Sequence, residues 1–222
     1  MERKDILSKV DHTLLKPTAT WNDIKKICDE AIAASTASVC ISPCFIEKAV
    51  EYVNKKIDIC TVVGFPNGAN TTASKLFETS DAIAKGAKEI DMVINIGALK
   101  EKDYDYVENE IKTLAAACHS KEAILKVIIE TCLLEPEEIE IMCKICAAAK
   151  ADYIKTSTGF STEGANETVL NIMANTIKEN NLNLKIKAAG GIKDKDTAVR
   201  FIEIGADRLG TSKLISILKE EE

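Results

Sequence analysis

The sequence predicts a parallel (β/α)8 barrel of the TIM type. Three observations carry that prediction. Short β-branched runs alternate with longer stretches of helical period, eight such units follow one another, and no Pro/Gly/Ser-rich linker or shift of composition divides the 222 residues. Eight units over that length average about 28 residues each, near the lower size bound of such barrels at ~200 residues. One domain spanning residues 1–222 is therefore expected. A doubly wound open sheet uses the same βα units, but no Gly-x-Gly-x-x-Gly follows the first strand and eight successive units suit closure better.

Taken in order, a short strand over 12–15 leads to a helix over 22–35 with Asn22 as its N-cap. A strand over 37–42 and a helix over 45–55 follow, then a strand over 57–64 and a helix over 72–85, opened by Thr72 and stopped by Gly86. The fourth unit pairs a strand over 89–96 with a helix over 103–120, capped by Asp103. The fifth pairs 123–130 with a helix over 137–150, entered through Pro136, whose missing N–H costs nothing at a helix start. Strand 152–157 precedes helix 163–180, and strand 184–188 precedes helix 195–204, set between the cap Asp194 and the stop Gly205. Strand 207–210 and helix 212–221 complete the series. The first and last strands are the shortest.

Bulk properties exclude several function classes. A 46% hydrophobic share with 29% charged residues suits a globular enzyme. A net charge of −6 offers no global positive field, so neither nucleic acid nor an anionic membrane surface is an expected partner, and any phosphate must be held locally. The first ten residues lack the apolar stretch of a signal peptide and no 18-residue apolar run follows, which points to the cytoplasm. Eight cysteines in a chain with a sizeable core read as small buried hydrophobes rather than a disulfide framework.

The chemistry is signalled by ionisable residues inside apolar strands: Asp91 in Glu89-Ile90-Asp91-Met92-Val93, Lys155 in Tyr153-Ile154-Lys155-Thr156, and Lys187 in Lys185-Ile186-Lys187-Ala188. Such side chains are almost never buried unless paired. They fall on the fourth, sixth and seventh strands, and alternate barrel strands share a layer, so the three converge in one mouth. A neighbouring ammonium and an apolar wall disfavour the charged form of a lysine, and a free amine is the nucleophile of Schiff-base chemistry. Lys155, central in its strand and followed by Thr156-Ser157-Thr158-Gly159, is the expected nucleophile. Lys187 is the perturbing cation and a proton donor or acceptor, and Asp91 a proton relay. The rival reading is an internal ion pair that only fixes packing, with the second lysine reaching solvent.

A second set is glycine-rich. Gly190-Gly191 and Gly210-Thr211-Ser212 end the seventh and eighth strands, with Thr158-Gly159 after the sixth, where barrels of this class bind phosphate through backbone N–H groups and a helix N-terminus. Taken singly, each is equally readable as a turn or cap. Cys143-x-x-Cys146 lies within a predicted helix without a second such pair, His12 and His119 are too few for a histidine metal site, and Cys40 after its strand reads as a buried thiol. No metal is expected, and the closing 219–222 stretch reads as a solvated tail.

Together Asp11-His12-Thr13-Leu14-Leu15, Gly64-Phe65-Pro66, the Asp91 and Lys155 strands, Lys187-Ala188-Ala189-Gly190-Gly191 and Arg208-Leu209-Gly210-Thr211-Ser212 resemble the deoxyribose-phosphate aldolase family over nearly the whole chain. The resemblance implies a TIM barrel that reversibly cleaves 2-deoxy-D-ribose 5-phosphate into D-glyceraldehyde 3-phosphate and acetaldehyde, without metal or organic cofactor, in a homodimer. It places the Schiff-base lysine on Lys155, the second lysine on Lys187 and the proton-transfer aspartate on Asp91, with phosphate contacts around Thr158, Gly159, Gly190, Gly191, Gly210, Thr211 and Ser212. Two departures stand out. Phe160 occupies a position where some longer members have a lysine, and no tyrosine follows Tyr153, where some members carry a tyrosine-bearing tail. A Schiff-base aldolase for a related phosphorylated sugar, and a sugar-phosphate-binding barrel without catalysis, are the alternatives.

Overall fold

Each β-branched run pairs in parallel with the run before it in sequence, and the last returns to the first, so the sheet closes into an eight-stranded barrel. The computed structural model describes residues 1–220. Its elements are α1 (Arg3–Leu7), β1 (Val10–Leu14), α2 (Trp21–Ala34), β2 (Ser38–Ile41), α3 (Ile46–Val53), β3 (Asp58–Val63), α4 (Thr72–Ala84), β4 (Glu89–Val93) and α5 (Ile96–Lys100). There follow α6 (Tyr104–His119), β5 (Ile124–Ile128), α7 (Pro136–Ala148), β6 (Tyr153–Lys155), α8 (Glu167–Glu179), β7 (Lys185–Ala189), α9 (Lys195–Ile204), β8 (Ala206–Thr211) and α10 (Leu214–Glu220). The predicted fold class stands.

Parallel strands covered on both faces must be apolar on both, and β2 and β4 are buried at every position. The helices bury one stripe against them: α2 contributes Ile24, Cys28 and Ala31 at helical spacing. Local chemistry moves some predicted boundaries. Thr20, not Asn22, caps α2, because Thr20 and Asp23 satisfy each other's backbone N–H in a capping box. Thr71, not Thr72, caps α4. Asp103 and Asp194 cap as expected, and Gly86 and Gly205 take positive φ after their helices. Helix α8 begins at Glu167 behind the cap Asn166, leaving the predicted start at 163 in a loop. Helix α10 begins at Leu214, and the predicted helix end at 221 and the last two residues of the 219–222 tail lie outside the described residues. The five-residue helices α1 and α5 are too short to show a period.

All eight cysteines are free. Six are buried as expected, including the α7 pair Cys143 and Cys146. Cys44 is exposed and Cys132 half-buried because both sit in 3₁₀ turns at strand ends. His12 pairs with Glu30 and His119 with Asp152, each at 2.9 Å. No helix among the described residues is long and apolar enough to cross a membrane.

Candidate active site

The three sequence-predicted side chains meet inside the barrel. Asp91 on β4, Lys155 on β6 and Lys187 on β7 are 0%, 3% and 0% exposed. Lys155 and Lys187 are register partners on adjacent strands. Both side-chain nitrogens reach one oxygen of Asp91, with Lys155 Nζ 2.7 Å and Lys187 Nζ 2.6 Å from Oδ2. Neither lysine extends to bulk solvent, so the expectation that the second lysine reaches solvent does not hold, while both lysines do pair with Asp91.

The trio is part of a larger network that includes four side chains the sequence reading passed over. Lys126 on β5, fully buried, donates to Asp91 Oδ1 at 2.7 Å and pairs with Glu89 at 2.6 Å. Asp11 on β1 takes Lys187 at 2.5 Å and Arg208 of β8 at 2.6 Å, and Arg208 also reaches Glu89 at 3.2 Å. The signal for Lys126 was available, since Ile124-Leu125-Lys126-Val127-Ile128 is another apolar strand with a charge at its centre. Asp11 was hidden because β1 starts at Val10, two residues before the predicted strand.

Electrostatics follow from this packing. Burial alone would raise the Asp91 carboxyl, but Lys126, Lys155 and Lys187 outweigh it and hold the group well below the usual carboxylate range. Burial likewise opposes the charge on Lys187, yet Asp11 and Asp91 overcome it and hold its ammonium above the usual lysine range. Lys187 is therefore a standing cation beside Lys155. Three carboxylates (Asp11, Glu89, Asp91) face three cations (Lys126, Lys187, Arg208), so the network balances with Lys155 left out.

Donor atoms of Cys40, Cys60 and Asp91 lie close enough together to hold a metal ion, as do those of Asp11, Cys60 and Glu89. Ammonium groups already fill these positions. Lys126 Nζ lies 3.2 Å from Cys60 Sγ as well as against Asp91 and Glu89, so a further cation would meet lysine charge at close range.

Above the network opens a cleft of about 730 Å³. Of the three lysines in the network, Lys155 alone lines it. So do all seven sequence-predicted phosphate residues: Thr158, Gly159, Gly190, Gly191, Gly210, Thr211 and Ser212. The glycines differ in what they do. Gly159 takes φ +83° with open space around it, and a side chain on Gly191 would strike the carbonyl oxygen of Ala165 at 2.7 Å. Gly210 lies within β8, where a side chain would press on Lys187 Cε at 3.3 Å, so it makes room for the lysine. The backbone N–H groups of Gly159, Gly191 and Ser212 find no protein acceptor among the described residues. Lys16, Lys193 and Lys213 also line the cleft and supply positive charge where Phe160 does not. Helix α10 starts two residues beyond Ser212, so the open amide at this corner belongs to the loop and not to the helix N-terminus.

The profile of the DeoC/LacD family aldolases matches residues 6–212. Over 222 residues the chain is 53% identical to the deoxyribose-phosphate aldolase of Streptococcus agalactiae, covering 100% of this chain and 97% of that one. It is 54% identical over 221 residues to the enzyme of that name from Streptococcus pyogenes, with the same coverage. The tetrameric deoxyribose phosphate aldolase from Aeropyrum pernix superposes with a TM-score of 0.91 at 29% identity, over 99% of this chain and 92% of that one.

Proposed function

The chain belongs to the DeoC/LacD aldolase family, and on that premise we propose that it reversibly cleaves 2-deoxy-D-ribose 5-phosphate to D-glyceraldehyde 3-phosphate and acetaldehyde, with Lys155 as the Schiff-base nucleophile. The observation that carries the residue assignment is the position of Lys155. It is the one amine of the buried network that faces the cleft, and it is surplus to the network's charge balance.

In the cleavage direction the Lys155 amine attacks C1 of the open-chain sugar, and water leaves as the carbon becomes an iminium. Lys187, held charged, is placed to give a proton to that departing water. A base takes the proton from the C3 hydroxyl, and the C2–C3 bond breaks toward the iminium. Glyceraldehyde 3-phosphate departs and an enamine remains on Lys155. Asp91, in contact with both lysines, relays protons as the enamine is protonated and hydrolysed to acetaldehyde. The iminium is the electron sink, so no step is assigned to a metal or organic cofactor. The C5 phosphate takes the unpartnered N–H groups of Gly159, Gly191 and Ser212, aided by Thr158, Gly190, Gly210 and Thr211 and by the cleft lysines.

The reading extends to a single domain over residues 1–222, a homodimer and a cytoplasmic location. Eight free thiols support a reducing compartment, and the Aeropyrum pernix tetramer supports self-association. The test is acetaldehyde release from 2-deoxyribose 5-phosphate, followed by a donor panel in the synthetic direction. Turnover with a different donor while acetaldehyde is refused would transfer the assignment to a related aldolase. Binding of the sugar phosphate without turnover would leave only a binding barrel.

A further inference from the structure

Glu130, at the end of β5, combines three features that ordinary packing does not require. It is a non-glycine residue in the left-handed region, at φ +52° and ψ +65°. The residue is only 3% exposed, and no ammonium or guanidinium pairs with its carboxylate among the described residues. Its partners are instead in the loop after β6. Glu130 accepts the Thr158 N–H at 3.1 Å on one oxygen, and takes a short hydrogen bond from the Thr158 hydroxyl on the other. Thr158 Oγ1 in turn accepts the Phe160 N–H at 3.0 Å, and the Phe160 ring stands edge-on to Phe65 at 5.3 Å.

A backbone held in a sparsely populated region persists only where its surroundings over-determine it, and such residues gather at functional sites. Here the contacts close a bracket around one residue. With the Thr158 and Phe160 amides turned inward to the bracket, Gly159 between them is left with its N–H unpartnered at the cleft. The carboxylate lies behind the loop and does not line the cleft. We propose that Glu130 is a positioning residue that sets the Thr158–Gly159–Phe160 bracket for the substrate phosphate, and so determines preference for phosphorylated over unphosphorylated substrates. This rests on the aldolase reading above and adds to it a residue that touches no substrate.

The test compares cleavage of 2-deoxyribose 5-phosphate with that of 2-deoxyribose in Glu130→Ala, Glu130→Gln and Thr158→Val. Displacing a binding group by about 1 Å can cost up to about a hundredfold. Glu130→Ala is therefore expected to lower kcat/KM for the phosphorylated sugar by roughly tenfold to a hundredfold, chiefly through KM, and to change the unphosphorylated sugar by less than about threefold. Glu130→Gln keeps one acceptor oxygen for the Thr158 N–H and should recover part of the loss. Thr158→Val should reproduce the loss, and the double variant should be no worse than either single change. An equal fall for both sugars, or additive losses, would overturn the proposal. Thr158→Val serves if Glu130→Ala does not fold. Acetaldehyde-dependent borohydride labelling of Lys155 in the parent and in each variant separates the two levels. A labelled parent without a phosphate-selective effect defeats the bracket alone, whereas an unlabelled parent defeats the aldolase reading beneath it.

Discussion

The floor and the rim of the barrel mouth are built on opposite principles. The floor is made of side chains: seven charged residues from β1, β4, β5, β6, β7 and β8 interlock at 2.5 to 3.7 Å with almost no access to water. The rim is made mainly of backbone, with unpartnered amides, positive-φ glycines and exposed lysines around an open cleft. Buried charges are costly to desolvate and expensive to leave unpaired, so the floor must be fixed and balanced. An arriving phosphate brings its own charge and its own acceptors, so the rim can wait with donors unfilled.

The comparison is tested most severely at Lys155. Lys155→Leu should lower turnover by roughly 10⁴-fold or more, as loss of a covalent nucleophile does. Because the remaining floor charges balance, it should leave the melting temperature unchanged or raised. A large loss of stability by thermal melting would show that Lys155 is a structural cation after all. Asp91→Asn should act on both counts. It should slow turnover by roughly 10² to 10⁴-fold and destabilise the fold by about 3 to 5 kcal/mol in urea titration, since Lys126 and Lys187 lose their shared partner.

Stability should also depend on pH through the floor. Asp91 and Asp11 have folded values below the ordinary 3.8, so their contribution is fully present above that pH and is lost as pH falls toward the folded values. Lys187 is shifted the other way. Its contribution is fully present below the ordinary 10.5 and fades only as pH rises past it. A plateau between about pH 4 and pH 10 in denaturant titrations is the expected outcome. A midpoint that shifts steadily across that range would contradict it. The smallest effect belongs to the rim. Lys213→Ala should raise KM for the phosphorylated sugar about two- to fivefold at low salt, with the difference shrinking in 0.5 M salt, as exposed charges are screened.

The two regions were unequally legible in the sequence. A charge at the centre of an apolar strand is visible without coordinates, which is why Asp91, Lys155 and Lys187 could be named and placed together. The same rule reaches Lys126, whose strand carries the same mark. Asp11 escapes it because β1 begins two residues before the predicted strand, and Arg208, although inside its predicted strand, because Asp207-Arg208-Leu209-Gly210 has too few apolar residues for a central charge to stand out. The rim was legible only as glycines, and glycine composition does not separate Gly210, which clears space for Lys187, from Gly159, whose amide is open. Glu130 and Thr158 are 28 residues apart and become partners only when β5 and β6 lie side by side. Caps moved by one or two residues because Thr20-x-x-Asp23 and Thr71 compete with the neighbouring Asn22 and Thr72 for the same helix starts.

The central claim is that Lys155 carries the substrate covalently. Borohydride reduction with acetaldehyde present, followed by peptide mapping in the mass spectrometer, addresses it most directly. The account predicts an ethyl group on Lys155, with Lys126 and Lys187 unmodified. Label on either of those lysines, or no acetaldehyde-dependent label in a protein that still turns over the sugar phosphate, would contradict it.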